Sequence, residues 1–312
     1  MLGYLCAYYR YYNPIEFITA FLNDAANDDD IQNGSLLAKQ RGIRIIQPKF
    51  GFSKSDYFFN KEENVISKGV ASVKYMSAQA ADELYELSQS NTYNSFVDLL
   101  IDIKNKTTLK SNQLDILIKI DYFSDFGNQR ELFAINNIFQ MFLANDGKGW
   151  RKKIKKSNVD GTEFEDIIRR YSTGLTKTGK DAADYTLIDP DAIVHGLEAK
   201  IMAAGLEDVG LMMKVKNFND IMGHAGFMTG KDTDRNKLFV TAVYPVKRKR
   251  DGVVFGYSIL YQSVGNGKEG RMTCFKKRFE QEPIAKGDLI ICKRWDRDGA
   301  YFQMLDYEHI YA

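Results

Sequence analysis

From Lys237 the chain changes its period: KLFVTAVYPV, VVFGYSILYQ, GRMTCF, DLIICKRW and AYFQMLDYEHI alternate between two faces, whereas the segments before them carry helical spacing. A period of two belongs to strands with one buried face, so this stretch folds as a sheet. Its connections are short and charged or carry glycine, as strand connections do. The exception is KKRFEQEPIAKG, between the third and fourth runs, which has room for one or two helical turns.

Five strands with a helix between the third and fourth is the element order of an OB barrel, whose second and third strands and first and fourth connections bind nucleic acid. The first connection then carries Lys247, Arg248, Lys249 and Arg250, four cations at a hairpin tip. They either meet phosphates, with affinity gained by counterion release, or form a soluble turn that blocks edge pairing. Phe255, Tyr257 and Tyr261 share one face of the second strand and either stack on bases or fill the barrel core. Lys276, Lys277 and Arg278, after the third strand, either extend the basic surface or start a solvated helix.

The first 145 or so residues read mainly as short helices: GYLCAYYRYY, then IEFITAFLNDA after Asn13-Pro14, then SLLAKQRG with Gly42 as a C-terminal cap. Ile43–Ile46 reads as a strand. A turn near Lys74–Ser77 leads into AQAADELYELS, and NSFVDLLIDI leads through NKTTLKS into NQLDILIKI. Short helix, tight connection and second helix, twice over, make a compact unit. From Gly147 to Asp189 the chain is rich in Lys, Thr, Gly and Asp, with one helical stretch at EFEDIIRRY, and reads as a linker or insertion. Within it Trp150–Lys156 is densely basic, either an arm tracking a nucleic-acid backbone or a solvated linker.

At 312 residues the chain has room for two or three domains. Its 43 Lys and Arg against 41 Asp and Glu give a net charge of +2, so any polyanion site comes from local clustering. Cys6, Cys274 and Cys292 form no C-x-x-C pair, which argues against a disulfide scaffold or structural zinc and points to the cytoplasm. No apolar run reaches the length of a membrane span.

GYLCAYYRYYNPIEFITAFLN, LLAKQRGIRIIQPKF, SKSDYFF and VISKGVASVK resemble, in that order, the region running out of the fingers domain of bacterial DNA polymerase III α subunits, the C-family replicative polymerases. In that family the order continues into tandem helix-hairpin-helix motifs and an OB domain. The resemblance implies the end of the fingers over residues 1–60, a tandem helix-hairpin-helix-like unit over 61–146, a linker or helical insertion over 147–236 and an OB domain over 237–312. The fold class is thus multi-domain, a mainly α amino-terminal part followed by an all-β five-stranded barrel. The family's first hairpin carries a turn of the form I-K-G-V-G, and here Val73-Lys-Tyr-Met-Ser77 stands in its place. Lys68, Lys74 and Lys110 lie near the two turns and suit either phosphate contacts or an ordinary surface. Gln129, Leu132 and Phe133 resemble the sliding-clamp ligands of the family, or else open a helix that packs on the hairpins.

What the resemblance implies is DNA replication: sequence-nonspecific binding of duplex and single-stranded template, with the clamp and other replisome subunits as further partners. The alternative is a module that docks replisome proteins and touches little DNA. The complete polymerase is a nucleotidyltransferase that uses Mg²⁺; this chain is expected to need no cofactor and to be inactive alone. Asp28–Asp30 and Asp189-Pro-Asp191 precede helices and read as caps, and Asp296-Arg-Asp298 reads as a solvated turn. His195, His224 and His309 have no zinc-ligand spacing, and no G-x-S-x-G elbow occurs.

Overall fold

The computed structural model describes all residues except 1, 27, 145–148, 177, 223–235, 249, 265–267, 299, 300, 311 and 312. In chain order come α1 (Leu2–Tyr12), α2 (Pro14–Asn23), α3 (Asp28–Gln40), β1 (Arg44–Ile46), β2 (Phe58–Asn60) and β3 (Val65–Ser67). Four helices follow: α4 (Ala78–Ser90), α5 (Phe96–Lys106), α6 (Ser111–Lys119) and α7 (Gln129–Phe142). Next are β4 (Lys153–Lys155), α8 (Glu165–Arg170), β5 (Ser172–Leu175), β6 (Asp181–Leu187), α9 (Pro190–Ala204) and α10 (Leu211–Met222). The last part is β7 (Lys237–Lys247), β8 (Val254–Ser263), β9 (Glu269–Phe275), α11 (Lys276–Gln281), β10 (Leu289–Asp298) and β11 (Tyr301–His309). None of these helices is long and apolar enough to cross a membrane. The chain divides into two compact units, one of Lys49–Phe58 and Met76–Asp208, the other of Met1–Pro48, Phe59–Tyr75 and Val209–Ala312.

The helical unit is built on one-sided helices. α4 buries Ala80, Ala81, Leu84 and Leu87, and α5 buries Phe96, Val97, Leu99, Leu100 and Ile103, the i, i+3, i+4 stripe of a half-buried helix. Ser77 and Ser95 start them by accepting from the amides of Ala80 and Asp98. α7 opens with a capping box, Asn128 Oδ1 accepting from the Glu131 amide and Glu131 Oε2 from the Asn128 amide, both at 3.0 Å. Phe50 lies among the rings of Tyr93, Tyr122, Phe123 and Phe126.

The segment read as a linker or insertion is folded. β4, β6 and β5 form a three-stranded antiparallel sheet in that order, and α9 packs against α5 and α7. Asp189 caps α9 by accepting from the Ala192 amide, as its D-x-D spelling implies. From the middle of α9 the buried Glu198 carboxylate reaches the start of α5, where it accepts from Ser95 Oγ at 2.5 Å and from the amides of Phe96 at 2.6 Å and Val97 at 3.3 Å. A carboxylate at the positive end of a helix satisfies donors that the helix itself leaves open.

One turn away His195 Nε2 lies 2.9 Å from Asp98 Oδ1, and Nδ1 lies 2.9 Å from the Asp191 carbonyl. Partial burial disfavours the imidazolium, but the Asp191 carbonyl and the Asp98 and Asp191 carboxylates outweigh it, and the pKa is raised above 6.5. A raised folded value adds stability that is full below the unfolded pKa, about 6.5, and is lost as pH rises through the folded value. Asp98→Asn is expected to bring the His195 titration, followed by NMR, back down; an unchanged curve would show that Asp98 plays no part.

In the other unit α2 buries Ile15, Ile18 and Leu22, and β1 pairs in parallel with β3. The five carboxy-terminal strands close into a barrel of order β10-β11-β9-β8-β7. Closure comes from β10 pairing antiparallel with β7, and β11 runs parallel to β9. This is the OB arrangement, with α11 between the third and fourth strands. Leu238, Val240, Ile259, Met272, Ile290, Met304 and Tyr307 fill the interior. Phe279 of α11 stacks on Tyr257 with ring centroids 3.8 Å apart and planes 17° apart, so α11 plugs the barrel. Cys274 and Cys292 are inside, their thiols pushed up to about 11, chiefly by burial.

Candidate nucleic-acid interface

In the first hairpin of the helical region a tyrosine and a serine stand where the resembling family has glycines. Tyr75, at the place of the first glycine of I-K-G-V-G, has φ 66°, and its ring is exposed. This left-handed conformation costs an L-residue about 1–2 kcal/mol. Ser77, at the second glycine's place, is the N-cap of α4. Tyr75→Gly is expected to leave stability unchanged or raise it by up to about 1 kcal/mol, since relief of strain is partly offset by the entropy of an unfolded glycine. Thermal unfolding measures this, and a clear loss of stability would show that the ring has a structural role.

The lysines near these turns differ. Lys68 is half-buried, and desolvation pushes its ammonium down to about 8, a poor setting for a phosphate contact. Lys74 is exposed and donates to the Asp220 carbonyl. Lys110, also exposed, is the N-cap residue of α6, its amide donating to Gln113 Oε1 at 2.8 Å. Gln129, Leu132 and Phe133, set out as either a clamp ligand or the opening of a packing helix, lie in the first turns of α7. Gln129 is 1 % exposed and donates from Nε2 to the Lys119 carbonyl and Asp121 Oδ1; Leu132 is 1 % exposed and Phe133 half-buried. A segment folded into α7 with two of its anchors buried is not presented as a ligand.

On the barrel, cations far apart in sequence come together. The β7–β8 tip turns at Gly252, φ +69, with the Arg248 amide donating to the Val253 carbonyl. Lys247, Arg248 and Arg250 are exposed there; Lys249 lies outside the described residues. Arg248, Phe255, Lys276 and Lys277 line one open groove of about 570 Å³ between this tip and α11, together with Glu280 and Gln281. Arg278 does something else. It donates to Glu282, Asp306 and the Tyr307 carbonyl and lies 4.1 Å from the Tyr307 ring centroid, so it pins α11 to β11.

The strand aromatics split. Tyr257 and Tyr261 pack on the core, the same side as fully buried Ile259, so the core alternative holds for both and neither is a base-stacking platform. Phe255, at the mouth, lines the groove. The opposite register of β8 points away from the barrel core, and its cross-strand partners put Tyr244, Arg271 and Phe275 on one exposed face. Tyr244 is 55 % exposed and Phe275 44 %, and Arg271 Nε donates to Ser258 Oγ at 2.6 Å. At the far end of β10–β11, Trp295 and Phe302 are exposed with rings 5.5 Å apart, and Arg297 lies over Phe302. These six residues were not among the sequence candidates. Gly256, Ser258 and Gln262 on that register of β8 are themselves buried beneath these neighbours, Ser258 at 1 % and Gln262 at 7 % exposure, so the exposed groups come from the flanking strands.

Among the described residues no group of three His, Cys, Asp or Glu side chains is placed to hold a metal ion. Aromatic faces beside guanidinium and ammonium groups suit stacking on bases and pairing with phosphates.

The family model described as the helix-hairpin-helix motif matches residues 42–132. The chain is 29% identical over 142 residues to the DNA polymerase III subunit alpha of Halalkalibacterium halodurans, a match that covers 45% of this chain and 12% of that protein. The region of similarity and the closed carboxy-terminal barrel agree with the polymerase III α resemblance read from the sequence.

Proposed function

We propose that this chain, similar to DNA polymerase III α subunits through its helix-hairpin-helix region and ending in an OB-type barrel, is the DNA-holding part of a replicative polymerase. The helix-hairpin-helix region grips duplex, and the barrel takes single-stranded template. Both contacts are sequence-nonspecific, resting on phosphate neutralisation and base stacking instead of base-edge readout. Nucleotidyl transfer, with its Mg²⁺, belongs on this reading to a region outside this chain. The observation that carries the reading is the convergence of Arg248, Lys276 and Lys277 on one groove, with Phe275 of the outward face next in the chain to Lys276.

Combined Arg248→Ala, Lys276→Ala and Lys277→Ala is expected to weaken binding of a labelled single strand at least tenfold at about 100 mM salt. It should also reduce the magnitude of the log K against log salt slope by about 2, at roughly 0.7 per phosphate contact on a single strand. Unchanged affinity and slope would remove the groove from the reading. A second reading, docking of replisome proteins, is favoured by α1, where Tyr4, Tyr8, Tyr9, Tyr11 and Tyr12 are all exposed. Absence of binding to either form of DNA at low salt would leave that reading standing.

A further inference from the structure

We propose that the edge strand β4, with its flanking residues, is a separate contact for the phosphate backbone of duplex DNA. The inference rests on the reading of this chain as a DNA-binding protein and adds a surface remote in sequence from both the hairpins and the barrel. The basic stretch Trp150–Lys156, for which a solvated linker is the alternative to an arm tracking a nucleic-acid backbone, has at its middle a strand at the edge of the β4-β6-β5 sheet. Its position is fixed on α7. The Arg151 amide donates to the Phe142 carbonyl at 2.8 Å, Trp150 pairs with Leu143, and the Trp150 ring meets Phe139 edge-on at 5.5 Å.

The fixed backbone sorts the cations. Ile154 is buried, so Lys153 and Lys155 point together to the other side, two residues or about 7 Å apart along the strand. Lys152 is exposed beside them. Lys156 is already engaged with Asp181 and the Gly174 carbonyl, and Arg151 donates from Nε to the Leu143 carbonyl. Lys152, Lys153 and Lys155, by contrast, have no carboxylate within ion-pair distance among the described residues. Across the ladder Lys153 faces Thr186 and Lys155 faces Asp184, and only the second is charged.

Three exposed cations on and beside a fixed strand, with Asp184 the one carboxylate facing them across the ladder, are an electrostatic footprint with little ordering cost. The sheet offers nothing to stack on: Trp150 is packed and Tyr185 buried, and no aromatic side chain is exposed among its described residues. Contact with phosphates but not bases suits the duplex, which carries a charge about every 1.7 Å of its axis. A single edge lysine suffices to deter strand pairing, and this strand carries two, with Lys152 immediately before it.

The test is fluorescence anisotropy of a labelled mixed-sequence duplex and a labelled single strand, across a salt series, with the full chain and its combined Lys152→Gln, Lys153→Gln and Lys155→Gln variant. The duplex log K against log salt slope should shrink in magnitude by about 2–3, at roughly 0.9 per phosphate contact. Duplex affinity at about 100 mM salt should fall at least tenfold while single-strand affinity holds, and Lys→Arg at the three positions should retain binding. Coincident thermal unfolding of variant and wild type shows that the fold is intact. Unchanged duplex affinity and slope would overturn the inference while leaving the DNA-binding reading in place. Wild type that binds only single strand, or whose β4 lysines are needed for an acidic peptide and not for duplex, would also overturn it. Wild type that binds neither form of DNA would end both.

Discussion

Glu198→Ala is expected to lower the stability of the helical unit by about 2–4 kcal/mol, on the scale of losing charge-assisted hydrogen bonds and leaving buried donors open. The Glu198 side chain holds the Ser95 hydroxyl and two amides at the start of α5. Truncation leaves all three donors facing a cavity, and water reaches them poorly because Glu198 is only 9 % exposed. Glu198→Gln keeps the volume and one acceptor but points an NH₂ group toward donors, so its loss should be smaller yet real. Chemical denaturation at neutral pH separates the three proteins. Equal stability of the alanine variant and wild type would mean that α9 does not cap α5.

A loss of about 3 kcal/mol is also expected for Phe279→Ala in the barrel, the lower part of the range for buried aromatics, because α11 is short and can partly settle into the space. Phe279 is 8 % exposed and stacks on Tyr257. Its removal frees the helix that carries Lys276 and Lys277, so single-strand binding should weaken along with stability. Phe279→Leu, which refills most of the volume, should recover much of both. If Phe279→Ala destabilised the barrel while single-strand binding stayed at the wild-type value, the placement of the two lysines by α11 would not matter to binding.

The barrel was legible because its information is local. Alternation from Lys237 onward, short connections and the position of KKRFEQEPIAKG give the strand number and the place of α11. Which register of β8 faces inward was harder to read, since Phe255, Tyr257 and Tyr261 look like a stacking surface until Ile259 is seen sharing their side in the core. The exposed aromatics come from other strands, Tyr244 and Phe275, and become neighbours only through cross-strand register. Tyr75 adopts a left-handed φ of 66°, a conformation that residue identity alone argues against. The β4-β6-β5 sheet is not legible in the sequence because a three-residue strand made of KIK has no apolar run to announce it; Tyr185, Leu187 and the Trp150 anchor supply its burial from elsewhere in the chain. The bond from Glu198 to Phe96 joins residues about a hundred positions apart and leaves no local pattern.

The most direct measurement of the central claim is binding of the wild-type chain to labelled single-stranded and duplex oligonucleotides of several unrelated sequences, each across a salt series. The account predicts binding to both forms, affinities that agree within a few-fold between sequences, and log K falling linearly with log salt as counterions are released. Absence of binding to both forms at low salt, or affinity that is insensitive to salt, would contradict it.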